Sequence, residues 1–171
     1  MRRVALIIGL ILAPAQAWAM NPGEIATAFR LVDAHGRPHR LGSFQTRILV
    51  VWYEGPQSHT QNQWVKNRLV QLQRLGKLDS RSYESIGIVN FHESALPSSI
   101  ITRAIREHTR SSRVTILLDR DGRMRRQWGF LNGRSNVYVF DGRRRLIWKT
   151  SGPLTQRLGR QLIRMLVRLS R

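Results

Sequence analysis

Residues 48 to 53 read Ile-Leu-Val-Val-Trp-Tyr, six consecutive apolar or aromatic positions with no charged side chain. A strand made of them has nothing polar to offer water on either face, so both faces must be covered. The pattern then changes period. Val65, Leu69, Leu72 and Leu75 recur at spacings of 4, 3 and 3, which predicts a helix from about His59 to Leu75, ended near Gly76. A second apolar run (85 to 91) and a helical stretch opened by Ser98 or Ser99 follow, with Ile101, Ala104, Ile105 and His108 on one face. A third run (114 to 119) leads to Asp121-Gly122. Residues 136 to 141 and 144 to 149 then flank Asp141-Gly142 as a hairpin. Upstream, residues 29 to 41 read as strand, turn, strand, punctuated by Gly36 and Pro38. The last segment carries Leu154, Leu158, Leu162, Met165, Leu166 and Leu169 on one helical face. Strands separated by helices demand parallel pairing through crossovers, and the hairpin adds antiparallel strands. The expected architecture is α/β, a mixed central sheet with helices on both faces.

The 171 residues divide into a leader and a domain. Met1-Arg2-Arg3 is a positive start, residues 4 to 13 are apolar, and Ala17 and Ala19 supply small side chains before a cut. This predicts a secretory signal peptide over 1–19 and one domain over 20–171, exported to the periplasm. The chain has no cysteine. Disulfides, thiolate catalysis and Cys-ligated metals are excluded, as is a lipid anchor on an N-terminal Cys, so the exported form is expected to be soluble. The formal net charge is +19, which favours anionic partners. Nucleic acid is a poor partner for an exported protein. Anionic envelope polymers and membrane headgroups remain, and GC-rich codon usage is an equally open source of the arginine excess.

The order of elements, with residues 50 to 63 at the first strand-to-helix junction, resembles the thioredoxin fold. Residues 83 to 97, 117 to 130 and 136 to 156, with the C-terminal helix, extend the likeness to the YtfJ-type periplasmic proteins, a cysteine-free thioredoxin-like family. That resemblance implies export and the fold, and no established reaction. It places the window where redox relatives carry two cysteines at Pro56, Gln57, Ser58 and His59. It places their cis-proline at Ser135, where a cis bond would cost roughly 2.5–4 kcal/mol, so a trans bond is expected. The candidate degenerate loop is therefore Glu54, Gly55, Pro56, Gln57, Ser58, His59 and Thr60, with Ser135 opposite.

A helix start at this loop would present free N–H groups and a positive dipole end. Ser58 and Thr60 would sit beside a docked phosphate, carboxylate or sulfate. The plainer alternative is that Ser58 caps the helix. Ser58, His59 and Glu54 as a catalytic set would need a base and an orienting carboxylate in line, and no G-x-S-x-G elbow is present. No catalytic residue, cofactor or resident metal is assigned. His35 and His39 are separated by a turn, His92-Glu93 follows a strand end, and no H-E-x-x-H occurs. Asp119-Arg-Asp-Gly122 lacks the glycine position and the closing glutamate of a calcium loop. The C-terminal helix has a second stripe, Arg157, Arg160, Arg164, Arg168 and Arg171, suited to peripheral contact with an anionic membrane surface. Three readings stay open: a non-catalytic binding or accessory module of the bacterial envelope, with an unidentified protein partner or anionic ligand; an enzyme with cysteine-independent chemistry at this loop; and an arginine-driven binder of anionic polymers or membrane.

Overall fold

The computed structural model describes residues 20–110 and 114–171; the proposed leader, residues 1–19, lies outside them. The apolar run forms β3 (Ile48–Glu54), buried at all seven positions. It pairs in parallel with β4 (Tyr83–Asn90), which pairs in parallel with β5 (Thr115–Asp119). On its other side β3 pairs antiparallel with β6 (Asn136–Phe140), which pairs antiparallel with β7 (Leu146–Ser151). The hairpin of β1 (Arg30–Asp33) and β2 (Pro38–Arg40) adds to the far edge, β1 running antiparallel to β5. The sheet order is β2-β1-β5-β4-β3-β6-β7.

Alternation along β3 divides the core. Ile48, Val50 and Trp52 join Val137 and Val139 beneath α1 (Gln63–Arg74) and α4 (Gln156–Leu169). Leu49, Val51 and Tyr53 face the opposite layer. That layer is made by the N-terminal segment from Met20 and by α3 (Arg123–Trp128), a helix between two left-handed glycines, Gly122 and Gly129. The sequence reading places only a turn there. α3 buries just Met124 and Trp128, one turn apart, too short a stretch for periodicity to reveal.

Three expectations need correction. The helix after β3 starts at Gln63, with Asn62 in the N-cap position, and residues 56 to 62 form successive turns. The helix α2 (Ser98–Arg110) has no buried residue; Ile101 and Ile105 are half-buried and Ala104 is exposed. Arg106 ties it to the β1–β2 hairpin through two hydrogen bonds, 3.1 and 2.9 Å, to the Ala34 carbonyl. The β6–β7 connection spans residues 141 to 145. Its left-handed residue is Arg144 (φ 61°), while Asp141 Oδ1 accepts the Arg143 and Arg145 amides.

The β1–β2 turn is built on Asp33. Its Oδ1 accepts the His35 and Arg37 amides at 2.8 and 3.0 Å, and Oδ2 accepts Arg37 Nε at 2.9 Å and His39 Nε2 at 3.3 Å. Burial alone would raise its pKa. The Arg37 amide and guanidinium, with His39 and His35, outweigh burial and hold it at about 2. A carboxyl depressed below its unfolded value near 3.8 stabilises the fold above that pH, and the contribution fades as pH falls toward 2. Asp33→Asn should therefore lose about 1–2 kcal/mol at pH 7. Urea titrations of variant and parent should converge near pH 2; a gap unchanged by pH would refute the electrostatic account.

Candidate functional site

The loop after β3 lies at the end of the parallel strands, beside residues 131 to 136. Glu54 is the last β3 residue and points toward the α1 layer. It is 9% exposed, yet fully partnered. Lys66 Nζ, from the first turn of α1, donates to both of its carboxylate oxygens at 3.1 and 2.8 Å, and to the His59 carbonyl at 2.7 Å. The Ser135 hydroxyl donates to Glu54 Oε1 at 2.6 Å. One carboxylate thus joins β3, α1 and the segment entering β6. The Lys66 ammonium also stands 5.6 Å from the centre of a Trp52 ring, an arrangement that favours the cation.

Gln61 closes the same place from above. Its side-chain carbonyl accepts the Ser135 amide at 3.0 Å and its NH2 donates to the Gly133 carbonyl at 3.1 Å. The backbone groups of the 133–135 segment that face the loop are thereby occupied. The Ser135 carbonyl accepts the Gly152 amide at 3.0 Å. Among the described residues no peptide bond is cis, the one at Ser135 included.

Ser58 is fully buried. Its Oγ accepts the Gly55 amide at 2.9 Å, so it braces the first turn of the loop. The expectation that it caps the helix or lines an exposed anion site is overturned by position, because α1 begins five residues later. At that true start Asn62 is also buried; its amide group donates to the Gly152 carbonyl at 3.1 Å and accepts the Leu154 amide at 2.7 Å. Pro56, Gln57, His59 and Thr60 are exposed and Gly55 is buried. The His59 ring contacts the Pro56 carbonyl at 2.7 Å through Nδ1. Ser58, His59 and Glu54 each bond elsewhere, so no proton-relay chain joins them.

A second polar group lies beyond Gly55. Glu93, in the turn after β4, accepts Asn90 Nδ2 and the Gly133 amide through Oε1, both at 3.0 Å. A Cβ on Gly55 would collide with the Glu93 carboxylate, so a larger residue here would have to displace the Glu93 side chain. Asp119, at the end of β5, is fully buried; its Oδ2 accepts the Tyr53 hydroxyl at 2.8 Å and the Arg125 amide at 3.2 Å. Burial, and next the Asp119 carboxylate, push the Tyr53 hydroxyl far above its ordinary pKa, so it stays a donor. Glu93 Oε2 and Asp119 Oδ1 are buried and accept no hydrogen bond from the protein. Among the described residues no group of three or more His, Asp or Glu side chains is placed to hold a metal ion.

Glu54 and Ser135 are legible in the sequence as parts of this site, Glu93 and Asp119 are legible only as members of rejected metal motifs, and Lys66, Gln61 and Asn62 are marked as site residues by no motif. One signal was present for Lys66: it is one of only three lysines among 29 basic residues. A compact ammonium can serve three acceptors at one point, which the planar guanidinium does less well.

The fold is thioredoxin-like. A peroxidoxin, BcpB, of Mycobacterium tuberculosis superposes with a TM-score of 0.65 at 19% identity, over 89% of this chain and 99% of that one. A protein assigned as DsbE, a thiol:disulfide interchange protein of Chlorobium tepidum, gives 0.66 at 11% identity, over 90% and 100%. The pneumococcal exposed lipoprotein thioredoxin of Streptococcus pneumoniae gives 0.57 at 14%, over 82% and 100%. No family model and no curated protein sequence matches this chain. It is a thioredoxin-fold chain without the cysteines that thiol–disulfide exchange requires.

Proposed function

We propose that this is an exported, non-catalytic binding or accessory protein of the bacterial cell envelope, related to the YtfJ-type periplasmic proteins. Residues 1–19 serve as its cleaved leader, and residues 20–171 form one thioredoxin-like domain. The observation that carries the non-catalytic reading is the Glu54–Lys66–Ser135 clamp. Just before the window that corresponds to a redox relative's thiols, this chain has a buried carboxylate already ion-paired and hydrogen-bonded. Gln61 then occupies the backbone opposite. The clamp is closed on itself, which suits a scaffold, and its carboxylate, ammonium and Ser135 hydroxyl are all engaged with one another. Two supports favour the envelope: the leader pattern, and the naming of similar folds as an exposed lipoprotein and as DsbE.

The test is capture from an envelope extract, with protein starting at Met20 as bait and washes at low and high salt. A single protein partner that survives high salt is the expected result. Turnover of an extract metabolite by the pure bait, abolished by Glu54→Gln, would overturn the non-catalytic reading.

A further inference from the structure

Helices α1 and α4 lie side by side on one sheet face, so close that a Cβ on Gly159 would collide with the Trp64 indole. Each buries a narrow stripe, Val65, Leu69 and Leu72 from α1, and Gly159, Leu162 and Leu166 from α4. What remains is the outer surface of the layer. On α4 it is Gln156 and Gln161 with Arg157, Arg160, Arg164 and Arg168, followed by Arg171. At about 100° per residue the five arginines fall within an arc of about 80° directed away from the sheet. α1 adds exposed Arg68 and Arg74, and Lys77 follows it.

This layer has no acidic residue. None occurs from Gly55 to Leu78 or from Gly142 to Arg171, although the chain contains 10. Elsewhere the basic residues meet acids: Arg37 with Asp33, Arg103 with Glu107, Arg123 with Asp121. Lys66 turns away from the layer's surface toward Glu54. The arginines of α4 enter no ion pair among the described residues. An apolar side chain is exposed on the same layer: Leu75, 60% exposed at the end of α1, follows Trp64 by about three turns and so lies on the flank of α1 that meets α4. A dissolved polyanion would be served by the cations alone. A lipid headgroup layer accepts cations together with apolar side chains that reach its acyl boundary.

We propose that the α1–α4 layer is a docking face for an anionic phospholipid bilayer. The arginines of α4 meet headgroup phosphates, and Leu75 dips to the boundary below them. Attachment is peripheral, since the apolar stripe of α4 is committed to the core and no helix among the described residues is long and apolar enough to cross a membrane. The proposal goes beyond the accessory reading, and the test needs no envelope partner, so either can fail alone.

The test is cosedimentation of protein starting at Met20 with phosphatidylcholine vesicles, with and without phosphatidylglycerol. Binding should require phosphatidylglycerol and disappear in high salt. R157Q/R160Q/R164Q/R168Q should weaken it by about fivefold per arginine, on the order of several hundredfold in all. R30Q/R103Q/R110Q/R123Q removes the same charge from the hairpin, α2 and α3, and should change binding by less than about tenfold. Circular dichroism confirms that both variants are folded. Equal losses in the two variants would make the effect one of bulk charge and overturn the proposal. So would unchanged binding by the α4 variant, displacement by free glycerol phosphate at the lipid's concentration, or capture by heparin without capture by vesicles.

Discussion

Glu54→Ala should cost about 3 kcal/mol of folding stability, the low end for a broken buried ion pair because the Lys66 side chain keeps 23% of its exposure. Alanine leaves the ammonium with only the His59 carbonyl and the Trp52 ring, and strands the Ser135 hydroxyl in a buried position. The pair itself need not be net stabilising, since desolvating two charges offsets most of their attraction. Glu54→Leu combined with Lys66→Leu should therefore recover most of the loss. Ser135→Ala should cost only about 1 kcal/mol, because it removes one donor from a carboxylate that keeps its cation. Urea denaturation of the two single variants and the double variant gives the coupling directly. A neutral Glu54→Ala would mean that the carboxylate does not close the site, and the scaffold reading of this loop would fall with it.

The legibility of the fold follows from how far each signal extends along the chain. β3 to β6 are readable as mostly apolar runs, and the helices between β3, β4 and β5 force the parallel pairing of those three. α4 was readable because 14 residues give periodicity several turns to show. α3 was not, since it is held by two side chains and two glycines. The start of α1 lies four residues later than the sequence pattern suggests because the first apolar position of its periodicity is Val65, so nothing in the polar residues before it marks the boundary, and their hydrogen bonds close isolated turns. That shift decided the fate of Ser58, which looked like an exposed cap and is a buried brace.

The site was half legible for a related reason. Glu54 and Ser135 could be found because the resemblance marks their places in the loop and before β6. Their joint partner Lys66 lies 12 residues from Glu54, and only the packing of α1 against the sheet brings it there. Asp119 and Glu93 reach the same edge from two further strands, and no local pattern connects them. The arginine stripe was visible as a helical period. Its lack of acidic neighbours on the adjoining helix became meaningful only once α1 and α4 were seen to share a face.

Trp128→Ala should be the most damaging single substitution, losing about 3–5 kcal/mol. The indole is fully buried at the end of α3. Its ring centre lies 5.1 Å from Phe140, 5.8 Å from Phe29 and Phe130, and 6.4 Å from Tyr138. It thus fills the space between the sheet and the N-terminal segment, and Nε1 donates to the Thr27 carbonyl at 3.2 Å. Its own carbonyl accepts the Tyr138 hydroxyl at 3.0 Å and the Met20 amide at 3.4 Å. Met20 is itself buried, and Lys149 Nζ donates to its carbonyl at 2.7 Å. Alanine opens a large cavity that the sheet side cannot collapse to fill, because those rings stand on paired strands. The N-terminal segment can move, so the loss should be felt there first. Trp128→Phe keeps most of the volume and forfeits the Thr27 bond, and should cost about half as much. Denaturant unfolding measures both totals, and amide exchange locates the damage. Residues 24 to 29 should lose protection in Trp128→Ala before β3 does. Uniform loss across β3 and the segment would show that the N-terminal segment is not a separable layer and that the two cores unfold as one.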